Sequence, residues 1–143
     1  MPHTSTDGRT YGQTLLDVGD SVTVPVEAWK LWNNTGVRVA PDQVYRLSAT
    51  GEWRDWFVPC KADGYPTRNL MQLLFAPFRR VRSALWFQLI VAVDSGGEME
   101  PAGLELDAWH PKAEGLLTCF ANDVPFMYWN NSGLVWLTIE RVE

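Results

Sequence analysis

The feature that most restricts how this chain can fold is an alternation of period two. Ser21-Val22-Thr23-Val24-Pro25-Val26, Val44-Tyr45-Arg46-Leu47-Ser48-Ala49-Thr50 and Leu134-Val135-Trp136-Leu137-Thr138-Ile139 each place apolar residues at every second position. Successive side chains of a strand point to opposite faces, so such runs suit strands with one buried and one wet face. Turn formers separate them: Thr35-Gly36, Pro41-Asp42, Gly51 and Asp94-Ser95-Gly96-Gly97. Short runs at this spacing predict an all-β chain, a single-domain, jelly-roll-like β-sandwich. Pro25 cannot donate to a ladder, which marks the first strand as an edge. The 143 residues hold one domain with a real core and are too few for two ordinary ones. We expect a polar, flexible segment over residues 1–20 and the sandwich over residues 21–143.

The remaining segments are less regular. Val37-Arg38-Val39 and residues 103–106 read as short strands, residues 82–93 as a long and central one, and residues 116–121 and 134–142 as strands flanking a loop. Residues 58–69 read as a long loop, broken by Pro59, Gly64 and Pro66. The apolar run 70–78 fits either a short helix or an irregular crossing closed by Pro77. Two cysteines are too few for a disulfide scaffold, so Cys60 and Cys119 are expected as free thiols, Cys119 in the core.

Several classes are disfavoured. A net charge of −5 argues against binding nucleic acid by phosphate neutralisation, which leaves Arg79, Arg80 and Arg82 as a solvated edge. The start of the chain lacks the basic and apolar regions of a signal peptide, and no apolar run reaches the roughly 18 residues needed to span a bilayer. The expectation is a cytoplasmic product, or one exported without a conventional signal peptide, and no membrane insertion. His3 reads as a tail residue and His110 as part of a turn with Pro111. There is no nucleophile elbow, phosphate loop, zinc spacing or dinucleotide fingerprint, so no enzymatic activity is expected.

Between two of the strand-like runs lies Asn122-Asp123-Val124-Pro125-Phe126-Met127-Tyr128-Trp129-Asn130-Asn131-Ser132-Gly133. It gathers a carboxylate, three amides and a hydroxyl without a Cys or His cluster. Such oxygen donors suit a hard cation such as Ca2+. The same residue types also make ordinary turns. The chain contains its own control, because Trp32-Asn33-Asn34-Thr35-Gly36 nearly repeats Trp129-Asn130-Asn131-Ser132-Gly133. Asp123 stands seven residues before Asn130, whereas Val26 stands seven before Asn33 and cannot bind a cation.

Asn122-Asp123-Val124-Pro125, then Tyr128, then Asn130-Asn131-Ser132-Gly133 and an alternating strand closely resembles the calcium loop of the bacterial galactophilic lectin PA-IL (LecA) family. The likeness covers residues 115–139 well and most of residues 21–142 weakly. It implies a galactose-binding-domain-like sandwich that binds a galactose-like sugar or glycoconjugate through Ca2+, with sugar hydroxyls completing the metal shell. By this resemblance the ion takes side-chain oxygens from Asp123, Asn130 and Asn131 and carbonyls from Met127 and Trp56. A one-residue slip would offer Asp55 in place of Trp56. Asp123 and Asn130 would also hold the sugar, and Trp129 and Trp56 would pack on its apolar face. The family carries Thr at the place of Met127, so only a carbonyl contact survives there. It carries a His-Pro pair and a Gln where this chain has Lys61-Ala62-Asp63-Gly64, so Lys61 and Asp63 either replace its side contacts or are solvated loop charges, the second reading being slightly favoured. Members of the family form tetramers, which makes a homo-oligomer a further expectation. The competing expectation is a structural or protein-interaction β-sandwich whose sugar site has degenerated.

Overall fold

The computed structural model describes residues 13–143. Its longest strand is the last one, β10 (Asn131–Arg141), where Val135, Leu137 and Ile139 are buried at period two and Trp136 faces out. An alternating strand buries its apolar set only if neighbours flank it and a second layer covers it. β1 (Ser21–Glu27) pairs antiparallel with β10 along one side. On the other side β10 pairs first with β4 (Trp53–Asp55) and then with β3 (Tyr45–Thr50). β5 (Val58–Cys60) extends this sheet beyond β4, and β8 (Glu105–Trp109) extends it beyond β3. Among the described residues β1 has β10 as its one strand partner, as Pro25 predicts for an edge.

The second sheet has the order β2 (Asn33–Val39), β9 (Gly115–Ala121), β6 (Leu89–Val93), β7 (Gly96–Pro101). The layers enclose one main core that includes Val26, Leu47, Trp53, Phe87, Leu117 and Leu137. The all-β sandwich expected from the alternation is therefore the architecture found. Within the segment expected to be flexible, Thr14 bridges to Val37 and Leu16 is buried in the main core. His3 lies outside the described residues. Cys60 and Cys119 are unbridged, and burial pushes both thiols up to about 12.

The long strand expected over residues 82–93 is corrected. Only Leu89–Val93 is strand, and residues 79–88 form bends and turns with one isolated bridge, from Trp86 to Tyr65. The apolar run is continuous for two reasons. β6 is buried on both faces, which erases alternation. The preceding turns fold over the outer face of the second sheet, where Ala84 packs with Ile90 and Phe120. Phe87 takes a left-handed conformation at φ 60°, which a strand does not allow. Gly64 passes so close that a Cβ there would lie 2.3 Å from the Trp86 carbonyl oxygen, so only glycine fits. The run 70–78 is a short helix, α1 (Leu70–Phe75), followed by a 3-10 turn (Ala76–Phe78) containing Pro77. β5 and β7 fall in stretches that carry no alternation.

Candidate functional site

The loop between β9 and β10 is held from below. Asn122 is buried, and its amide receives a bond from the Val81 N–H at 2.9 Å and donates to the Val81 and Leu85 carbonyls at 2.9 Å each. This one side chain ties the loop to the turns that cross the second sheet. The Asp123 carbonyl accepts the Arg80 N–H at 3.1 Å. Pro125–Asn130 then forms a 3-10 helix, with Pro125 in its first turn, where the absent N–H is not needed. Tyr128 is buried, and its hydroxyl donates to the Ala121 carbonyl. Arg80 donates to the Tyr128 hydroxyl at 3.0 Å and to the Leu31 carbonyl at 2.5 Å, with its guanidinium 3.4 Å from the Phe120 ring centre. Asn122, Arg80 and Tyr128 therefore fix the loop. The reading of Arg80 as part of a solvated edge is corrected, because its partners Leu31, Phe120 and Tyr128 lie far away in the chain; Tyr128 belongs to the loop motif, but its anchoring role shows only in the fold.

Asp123 is only 3% exposed. One carboxylate oxygen accepts the Val124 N–H at 2.7 Å and the other accepts the Asn131 side-chain N–H at 3.1 Å. Asn131 donates also to the Ala28 carbonyl at 3.1 Å. Both donors of that amide are thus engaged on protein, which turns its oxygen elsewhere. Asn131 Oδ1 and Asn130 Oδ1 are buried and receive no hydrogen bond. Burial pushes the Asp123 carboxyl up to about 7, and the nearby Asp55 carboxylate adds to the rise.

Asp55 is brought here by register. It is paired with Asn131, and the Trp56 N–H donates to the Asn130 carbonyl at 3.1 Å. Trp56 and Phe57 form the two-residue turn of the β4–β5 hairpin, Trp56 at φ 55°. The Tyr65 hydroxyl donates to Asp55 at 2.5 Å, and burial raises the Asp55 carboxyl above its usual range. Two carboxylates that are both hard to ionise sit in one place, an arrangement a cation relieves.

Asp55, Trp56, Asp123, Met127, Trp129 and Asn130 share one cavity of about 720 Å³. Asn131 is joined to it through its bond to Asp123. The structure therefore brings together Asp123, Met127, Asn130, Asn131, Trp56 and Trp129, and it places Asp55 with them. Lys61 and Asp63 are exposed and stand outside the cavity wall, in a turn closed by the Gly64 N–H to the Lys61 carbonyl at 3.0 Å. Apart from Asn69 and Gln72, the rest of the wall is apolar and includes Phe57, Val58, Leu70, Met71, Phe75 and Trp86. No motif signals these residues, since α1 reaches the site only in three dimensions. Among the described residues no three His, Cys, Asp or Glu side chains converge, so the donors on offer are amide, carbonyl and carboxylate oxygens around two acids. Such a set fits a hard cation and not a thiolate- or imidazole-bound metal.

No family model and no curated protein matches this chain. A solved structure described as "EclA N-terminal domain; PllA-like lectin" is similar in fold, with a TM-score of 0.65 and 23% sequence identity over 83% of this chain and 94% of that one.

Proposed function

We propose that the chain is a lectin that binds a galactose-like sugar or glycoconjugate through Ca2+ and performs no catalysis. The observation that carries this reading is the pair of buried, unpartnered amide oxygens of Asn130 and Asn131 beside the buried Asp123. A buried polar atom without a partner costs about 1–3 kcal/mol, and a site that had lost its ligand would gain by burying something else. Ca2+ accepts roughly six to eight oxygens, more than the protein supplies here, so part of its shell stays open. Asp123, Asn130 and Asn131 would hold it by side-chain oxygens, and Met127 and Trp56 by carbonyls. Asp55 would contribute charge, or a direct oxygen in place of Trp56.

Bound Ca2+ would supply a Lewis-acidic centre with open positions for two adjacent sugar hydroxyls. Asp123 and Asn130 would accept hydrogen bonds from those hydroxyls, strengthened by the charge nearby. Trp129 is 78% exposed and Trp56 64%; Trp56 stacks one face on Phe57, with ring centres 4.8 Å apart, and its other face and the Trp129 ring would cover the apolar face of a sugar. Lys61 and Asp63, outside the wall, are left for more distant parts of a glycan. The shared fold with a PllA-like lectin supports the same reading.

Retention on immobilised galactose is the direct test. The protein should bind in calcium and elute in chelator, and calorimetry should give one calcium site per chain. A flat calcium titration with no retention of the folded protein would leave the competing reading, an interaction module without a sugar.

A further inference from the structure

Residues 64–93 contain four arginines, Arg68, Arg79, Arg80 and Arg82, and neither aspartate nor glutamate. In a chain of net charge −5 this segment is positive. Among the described residues none of the four forms an ion pair. Arg80 is engaged beneath the loop between β9 and β10. Arg68 and Arg82 are exposed, and Arg79 is half-buried with its guanidinium 5.1 Å from the Trp86 ring.

The same segment carries α1, whose composition contradicts its position. Leu70, Met71, Leu73 and Leu74 are 71, 63, 61 and 62% exposed, and the helix has no buried residue. Short helices ordinarily form because an apolar face is packed. This one packs only its last residue, Phe75, against the core, and polar links hold the rest. Asn69 caps the Gln72 N–H at 2.8 Å, and Gln72 accepts the Arg68 N–H at 2.7 Å and donates to the Tyr65 hydroxyl at 3.2 Å. The leucines are thereby fixed in place and left open. The apolar surface continues through Leu70 and Met71 into the cavity shared with Trp56, Phe57 and Trp129. It also continues through Phe75, whose ring centre lies 6.3 Å from that of the exposed Phe126. Monomeric proteins rarely expose so much contiguous apolar side chain without a partner.

We propose that this face docks the protein on an anionic lipid bilayer. Leucines and aromatic rings suit the boundary between headgroups and acyl chains, and uncompensated arginines suit the lipid phosphates around them. Charge complementarity selects this occupant over a second copy of the chain, because an isologous pairing sets the arginines of one copy against those of the other. No helix among the described residues is long and apolar enough to cross a membrane, so the contact is with a surface. Docking would set the cavity of Asp55 and Asp123 against the membrane, but it does not depend on the sugar reading.

The test is co-sedimentation of the full chain with sugar-free phosphatidylcholine vesicles, with or without phosphatidylglycerol, in chelator. Chelator and the absence of sugar separate this result from any failure of the calcium site. Partition should be at least about tenfold greater onto the anionic vesicles and should fall steeply with salt. L73S/L74S should abolish it without lowering the melting temperature, since both side chains are exposed. Arg82→Glu should weaken it by at least about fivefold. Equal partition onto both vesicles, or indifference to these substitutions, overturns the proposal. So does a concentration-dependent dimer that L73S/L74S disperses, which would make a second copy the true occupant.

Discussion

Two stretches of nearly the same sequence do different work in this molecule. Trp32-Asn33-Asn34-Thr35-Gly36 and Trp129-Asn130-Asn131-Ser132-Gly133 both end in a left-handed glycine, at φ 78° and 79°. Both also lie against the end of β1. Asn33 receives the Glu27 N–H at 2.8 Å and donates to the Glu27 carbonyl at 3.0 Å and the Cys119 carbonyl at 3.3 Å. Asn34 accepts the Gly36 N–H at 2.9 Å. In the first copy, then, each amide oxygen has a donor. In the second copy Asn131 donates to the Ala28 carbonyl and to Asp123, and the oxygens of Asn130 and Asn131 have none. The residue seven positions earlier decides the difference. Val26 is fully buried core, whereas Asp123 is a buried acid that positions an amide without occupying its oxygen. An amide that closes its own bonds is structural, and one left open beside an acid is equipped to take a ligand.

The largest effect that would sharpen this contrast is on binding. Asp123→Ala should weaken calcium affinity by at least about 100-fold in calorimetry, because it removes the one loop carboxylate. The matching change in the first copy should act on stability alone. Asn33→Ala removes three hydrogen bonds in a buried position and should lower the unfolding free energy by about 2–3 kcal/mol in a urea titration. Its calcium affinity should stay within about twofold, since it is not a proposed ligand. Asn130→Ala should show the converse. Its oxygen has no protein partner to lose, so stability should change by less than about 0.5 kcal/mol while calcium affinity drops about tenfold. Equal stability losses at Asn33 and Asn130 would erase the distinction between the copies.

The smallest effect is the response to pH. Burial raises Asp123 to about 7, well above the value of an unfolded aspartate, near 4. Between those two values the folded chain keeps a proton that the unfolded chain has released, so stability falls as pH rises through that window. Without calcium, the melting temperature should therefore be a few degrees lower at about pH 8 than at about pH 5. Calcium binds the ionised form, so the increase in melting temperature that it produces should be larger at the higher pH. No pH dependence of the calcium effect would remove Asp123 from the site.

Against these two copies, the limits of the sequence become specific. Alternation located β1, β3 and β10, because each has one buried and one exposed face. It failed at residues 82–93, because a strand buried on both faces and a turn packed under the same apolar cover carry the same composition. The loop residues Asp123, Asn130 and Asn131 stand out because they are close in the chain. The anchoring roles of Arg80 and Tyr128, and the choice between Asp55 and Trp56, do not, since they depend on contacts made only in the folded chain.

The order of apolar, polar and turn-forming residues was enough to settle an all-β sandwich and to mark the loop that carries its oxygen donors. Tertiary structure alone decided that Asp55 lies opposite Asn131, that α1 walls the same cavity, and that the amide oxygens of one copy close on the backbone while those of the other stay open. The reason is physical. Burial patterns are local and repeat with the strand period, whereas a site is made by the register between strands far apart in the chain, and a register is a property of pairs.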